Sequence, residues 1–163
     1  MLRLMVTAQD VLHALETVKD PEIPTISVVD MGIITKVSVN EDGVVVTMTP
    51  TFVGCPAIDV MRADVKAAVE AMGVANVEVN VTFDEPWTTN RVTERGKQAL
   101  LKHGLAPPQQ FDVDFELTVL DHVPCPFCGS TNTELKSPFG PTLCRSLHYC
   151  HACLQAFEGF KPV

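Results

Sequence analysis

Six cysteines carry most of the chemistry this sequence can offer, and they fall into two groups. Cys125-Pro-Phe-Cys128 and Cys150-His-Ala-Cys153 are two C-x2-C pairs separated by 21 residues, with Gly129 directly after the first pair. Two-residue spacing lets both thiolates of a pair reach one metal ion, and two pairs complete a tetrahedral four-sulfur shell with no open position. This is the pattern of a zinc ribbon, with a spacer one residue beyond the usual range. A segment of about 40 residues has too small an apolar core to fold alone, so zinc here is expected to be structural, supplying the missing stability. A rubredoxin-type iron site and a catalytic zinc are the rival readings of the same ligands. Cys144, His148 and His151 are left over; Cys144 could replace one of the four, but is expected to pack as a small buried apolar residue.

Cys55 stands apart, in the stretch Thr51-Phe-Val-Gly-Cys-Pro-Ala57. A thiol at a helix N-terminus faces unpaired backbone N–H groups and the positive end of the helix dipole, which favour the thiolate, and a thiolate can attack an electrophile or bind a soft metal. Gly54 keeps the approach open, and Pro56 suits the first helical position, which would put Cys55 at or near the N-cap. A buried, inert thiol is the alternative. A thiol enzyme would also need a general base, and no histidine is near in sequence. His13 and His103 fall on helices and are expected to be surface or packing residues.

The elements that must present these sulfurs are legible from periodicity. Thr7 can cap a helix with Asp10 three residues on, and Ala8, Val11, Leu12, Leu15 and Val18 share one face until Asp20-Pro21 ends it. Asp20-Pro-Glu-Ile-Pro24 reads as a stiff loop with two carboxylates on the surface. Residues 33–49 predict an antiparallel hairpin turning at Asn40-Glu-Asp-Gly43, with Thr35, Val37 and Val39 on one face. Ile58, Met61, Val65, Ala68 and Met72 mark a helix closed by Gly73, and Val77, Val79, Val81 and Phe83 a third strand, reached by a parallel βαβ crossing. Trp87 follows beside Asp84 and Glu85. Thr88 or Thr89 can start another helix, with Val92, Ala99, Leu100 and His103 inward and Gly104 as its stop. Ala106-Pro-Pro108 is the candidate linker, and residues 111–119 alternate as a strand with an acidic outer face.

Composition narrows the partners. Hydrophobic residues make up 46% and charged residues 20%, which are globular values. A formal charge of −8 with scattered Lys and Arg argues against nucleic acid. The apolar runs are far shorter than the roughly 20 residues of a membrane span, and the N-terminus is too short for a signal-peptide core. A cytoplasmic protein is expected, in which cysteines serve as ligands or reactive thiols rather than disulfides.

Asp20-Pro-Glu22, Val28-Val-Asp-Met-Gly-Ile-Ile34 and Thr51-x3-Cys55-Pro56 together resemble the metal–sulfur cluster assembly factor domain of iron–sulfur assembly proteins, over about residues 7–104. With Asp84-Glu-Pro-Trp-Thr88, Gly104-Leu-Ala-Pro-Pro108 and the double C-x2-C, nearly the whole chain is similar to the PaaD family, accessory subunits encoded with multicomponent phenylacetyl-CoA epoxidases. The resemblance implies an α+β fold, a small mixed sheet with helices followed by a C-terminal zinc ribbon. The expected division is 1–105 for the assembly-factor domain, 106–120 for linker and strand, and 121–163 for the ribbon. It also implies a functional patch of Asp20, Glu22, Thr51 and Cys55, and a role in maturing or maintaining the metal centres of a ring-epoxidising oxygenase or its iron–sulfur reductase. In that role Cys55 would supply a thiolate to iron or to an iron–sulfur cluster, with hard oxygen contacts from Asp20 or Glu22. A [2Fe–2S] cluster ordinarily takes four Cys ligands, so stable loading would need a homodimer, a partner's cysteines or a small thiol. The expected partners are oxygenase and reductase subunits or iron–sulfur assembly proteins, docked on the ribbon, with Phe139, Phe157 or Phe160 either as anchors or, equally, as fillers of its small core. Two alternatives stand beside this: a non-catalytic assembly subunit in which Cys55 is structural, and a thiol enzyme using Cys55.

Overall fold

The computed structural model describes residues 6–109 and 120–162. The strand expected at 111–119 lies outside them. Two compact units divide the chain between Trp87 and Thr88.

The first unit begins with helix α1 (Ala8–Leu15), whose Thr7 and Asp10 form the reciprocal capping box the sequence predicts. The helix stops at Leu15, one turn earlier than expected. Val18 is still buried, because Val28 donates its N–H to the Val18 carbonyl and continues the packing from a loop. Strands β1 (Ile34–Val39) and β2 (Val44–Met48) form the antiparallel hairpin. Thr35 is the extra residue of a bulge, since Ile34 pairs with Met48 while Lys36 pairs with Thr47. The expected single face therefore breaks there, and Val39 ends up exposed. Asn40 Oδ1 accepts from the N–H groups of Asp42 and Gly43 to close the turn. A Cβ at Gly43 would lie 2.2 Å from the Asn76 carbonyl oxygen, so only glycine lets the hairpin approach the segment before the next strand.

Helix α2 (Ile58–Glu70) leads to β3 (Val77–Val81), which pairs parallel with β2, giving the order β1-β2-β3. Met61, Val65 and Val69 are the buried residues of α2 and lie four apart. Ala68 and Met72, expected inward, are only half-buried, since Val69 takes the core position. β3 stops at Val81, leaving Phe83 exposed instead of facing inward.

The second unit opens with a 3-10 turn, Thr89–Arg91, and α3 (Glu94–His103). Thr93, rather than Thr88 or Thr89, caps α3, accepting from the Gly96 N–H. His103 is exposed, so its inward assignment fails, and Gly104 at φ 85° ends the helix as expected. Ala106, the first residue of the expected linker, belongs to a strand. Strand β4 (Leu105–Ala106) pairs parallel with β7 (Gln155–Phe160), in a four-stranded sheet of order β4-β7-β6-β5 with β5 (Thr133–Ser137) and β6 (Arg145–Cys150). This pairing puts α3 and β4 with the ribbon sheet and moves the compact boundary upstream of residue 105. Among the described residues no helix is long and apolar enough to cross a membrane.

Candidate metal centre and the Cys55 loop

The four cysteines of the two pairs converge. Cys125 Sγ lies 3.6 Å from Cys153 Sγ, Cys128 Sγ lies 3.6 Å from Cys150 Sγ, and all four sulfurs fall within 4.8 Å of one another. Four Zn–S bonds of about 2.3 Å in a tetrahedron put sulfurs roughly 3.8 Å apart, so this cage fits one such ion. The turns that build it are alike. In each, the residue after the second cysteine donates its N–H to the carbonyl of the first: Gly129 to Cys125 at 2.8 Å, and Leu154 to Cys150 at 2.9 Å. Both residues take positive φ, 74° at Gly129 and 61° at Leu154. The first knuckle meets that demand with glycine, the second with a strained, exposed leucine.

Backbone amides prepare this site for negative sulfur. The N–H of Cys153 above all, with that of Ala152, brings the Cys150 thiol down to about 7. Burial, followed by the neighbouring sulfurs, pushes Cys153 up to about 12. Four adjacent thiolates repel one another, and a bound dication reverses that balance. Ala106, Val123, Cys125, Cys150 and Phe157 form one buried cluster with Cys153 packed against it, so the sulfur cage sits at the border of this small core, with Cys128 on its exposed side.

The leftover residues separate from the cage. Cys144 is half-buried rather than buried, with Sγ 3.1 Å from Thr142 Oγ1. His148 is buried, stacks on Phe157 at 5.1 Å and shares a 2.7 Å hydrogen bond between Nε2 and Ser146 Oγ. His151 is exposed and pairs with Glu134 at 3.1 Å. None of the six cysteines forms a disulfide. Of the three candidate docking rings, Phe157 and Phe160, both on β7, are buried and only Phe139 is exposed.

The Cys55 loop belongs to the first unit and sits where three chain segments meet. β1 starts, and β2 and β3 end, at the same edge of their sheet: the Thr49 N–H donates to the Ile33 carbonyl, the Thr82 N–H to the Met48 carbonyl, and Thr49 Oγ1 to the Thr82 carbonyl. Cys55 is half-buried in the loop that leaves this edge, two residues before the α2 N-cap, Ala57. It is therefore not the cap itself, and Pro56 precedes the helix instead of occupying its first position. A turn explains the difference, since the Cys55 carbonyl accepts from the Ile58 N–H at 3.3 Å.

The other patch residues take distinct roles. Asp20 is buried, not on the surface: its Oδ1 accepts from the Glu22 and Ile23 N–H groups at 2.7 and 3.0 Å, which locks the proline-rich turn. Glu22 is exposed and Thr51 half-buried. The turn of Asp20 is tied toward the sheet edge by the Val28 N–H on Val18, the Ile33 N–H on Val28, and the Trp87 indole N–H on the Met31 carbonyl at 2.9 Å. Sequence reasoning missed Ser27 and Asp30, both buried, whose side chains bond each other at 2.9 Å; the Ser-x-x-Asp spacing was the available signal.

Residues 8–81 match the family model of an iron–sulfur cluster assembly protein, and residues 112–161 that of the PaaD zinc beta ribbon domain. A protein of Escherichia coli, provisionally named as a subunit of 1,2-phenylacetyl-CoA epoxidase, is 33% identical over 167 residues, covering 100% of both chains. An Fe–S protein maturation auxiliary factor of Porphyromonas gingivalis is 42% identical over 100 residues, 60% of this chain and 91% of that protein. The crystal structure of a domain of unknown function from Bacillus anthracis superposes with a TM-score of 0.53 at 33% identity, over 57% of this chain and 90% of that one. With the four-cysteine cage in place and similarity along its full length, this chain belongs to the PaaD family, in which an iron–sulfur cluster assembly domain is joined to a zinc ribbon.

Proposed function

We propose that this chain is a non-catalytic accessory factor for maturing or maintaining the iron–sulfur or di-iron centres of a multicomponent phenylacetyl-CoA epoxidase in phenylacetate catabolism. The observation that carries the reading is the position of Cys55, a half-buried thiol at the edge of an assembly-type sheet, in a different unit from the four-sulfur cage. The relatives named as Fe–S maturation auxiliary factors support the first half of this reading, and the relative named for the epoxidase supports the second.

In this account the cage holds one structural zinc through Cys125, Cys128, Cys150 and Cys153, which supplies folding energy to the ribbon. Iron or a cluster is cargo. Cys55 gives it a soft thiolate, and Glu22, exposed on the Asp20 turn, gives a hard oxygen. Asp20 acts through the backbone, shaping the turn that presents Glu22. One thiolate holds a cluster only with ligands from elsewhere, so binding is transient and completed by oxygenase or reductase subunits or by assembly proteins.

The test is carried out in cells. In a host producing the epoxidase with Cys55→Ala in place of the native chain, the oxygenase and reductase subunits should accumulate normally but with reduced iron content and reduced epoxidation. Normal iron and activity in that strain, with loss of both on deleting the whole chain, would instead support an assembly role in which Cys55 is structural.

A further inference from the structure

The hairpin of β5 and β6 turns at the end of its sheet away from the sulfur cage: Thr133 pairs with Cys150 at one end and Ser137 with Leu147 at the other. Its loop, 138–144, shows solvent two large apolar side chains, Phe139 at 67% and Leu143 at 62% exposure. Yet the loop is held in place. Ser137 Oγ donates to the Phe139 carbonyl at 2.8 Å and accepts the Phe139 N–H at 3.1 Å. The Gly140 N–H donates to the Arg145 carbonyl at 2.8 Å, the Arg145 N–H donates to the Thr142 carbonyl at 3.1 Å, and Pro138 and Pro141 stiffen the chain between them. Lys161 ties both apolar positions into one surface. Its N–H donates to the carbonyl of Cys144, the neighbour of Leu143, at 2.9 Å, and its Nζ stands 5.3 Å from the centre of the Phe139 ring.

Charge here runs against that of the chain. The formal net charge is −8, but residues 135–157 contain no Asp or Glu. Arg145 is met by Glu158 at 2.8 Å and Lys136 by Glu134 at 2.9 Å, whereas Lys161 has no carboxylate within ion-pair distance among the described residues. We infer that this loop is a docking element for a partner protein segment that presents an apolar side chain flanked by carboxylates. Apolar side chains held in place before binding lose little freedom on association, and Lys161 supplies orientation toward an acidic rim. One unmatched lysine is not the basic stripe that nucleic acid requires. The inference rests on the proposed function for the identity of the client and deepens it, giving docking to the ribbon and cargo to Cys55 in the other unit. Docking is measured without iron, so the two readings fail separately.

The probe is a short peptide with a Leu-Phe centre flanked by glutamates, titrated into the zinc-loaded full chain by two-dimensional NMR beside a counterpart with arginines in place of the glutamates. The glutamate peptide should shift the amides of Phe139, Leu143 and Lys161, less tightly as salt is raised. The arginine peptide, which the net charge of the chain favours, should leave those amides in place. The Phe139→Ser/Leu143→Ser double variant should weaken binding by about tenfold and Lys161→Glu by about threefold, both with zinc retained. Lys66→Glu makes the same charge change on α2 in the first unit and should leave binding intact, as should Cys55→Ala. Equal binding of the two peptides, equal weakening by Lys66→Glu and Lys161→Glu, or no effect of the double variant overturns the inference. So does a concentration-dependent dimer in sedimentation that the double variant abolishes, or a DNA oligonucleotide that shifts the same amides.

Discussion

The two sulfur sites differ in how much of their chemistry the fold completes. At the ribbon, two near-identical turns bring four sulfurs within 4.8 Å and aim amides at them, with Cys125 and Cys150 buried in the core of their unit. At the sheet edge a single half-buried sulfur follows a strand and precedes a helix, in a loop that also carries the exposed Val53. The first arrangement is closed and saturated. The second offers one sulfur, which suits the proposed role, in which the other ligands of the cargo come from another molecule. The difference shows that a cysteine's role is not read from its presence alone; how much of its surroundings the fold supplies is the informative quantity.

The comparison predicts unequal consequences of disturbing the two sites. Cys128→Ser should abolish zinc retention and unfold the ribbon while leaving the first unit's amide resonances in place, because structural zinc contributes on the order of 10 kcal/mol to such modules. Zinc analysis and two-dimensional NMR would check it, and a ribbon that stays folded without metal would break the contrast. Asp20→Ala should destabilise the first unit by about 1–2 kcal/mol in urea melts, since the buried Ile23 amide and the part-buried Glu22 amide lose their acceptor. Asp20→Asn, which keeps an oxygen, should recover most of that loss.

Leu154→Gly sharpens the contrast from within the ribbon. Relieving a left-handed leucine should stabilise the zinc-bound unit by about 1 kcal/mol, read as slower zinc release to a chelator. Gly129→Ala should do the opposite at the equivalent position. The smallest effect belongs to pH. Thr7, through its side chain first and its backbone N–H second, holds Asp10 below the carboxylate value of 3.8. The capping box therefore contributes fully above that value and is lost as pH falls through the depressed one. Amide exchange at the start of α1 should rise there without global unfolding.

Much of this was legible in sequence because local rules decided it. The capping box at Thr7 and Asp10, the hairpin turn at Asn40, the parallel return through α2 and the spacing of the four ribbon cysteines each rest on residues near one another in the chain. The readings that failed depended on distant partners. Asp20 looked like a surface acid because its burial depends on packing from residues 26–33. Ala106 looked like the start of a linker because the strand it pairs with lies about fifty residues on. Phe83 continued an alternating pattern, but its strand ends where β2 ends, and the ring is left outside. Residue type and resemblance pointed to the Cys55 loop, whereas its half-burial and its place at a three-way sheet edge required the fold.

The most direct test of the division of labour between the two sites is zinc and iron per chain, measured on the same purified sample after anaerobic addition of iron and sulfide. The wild-type chain should hold one zinc and take up iron with a visible charge-transfer band, and Cys55→Ala should keep the zinc and lose the iron and the band. Iron uptake that survives in Cys55→Ala, or zinc that disappears with it, would contradict the account.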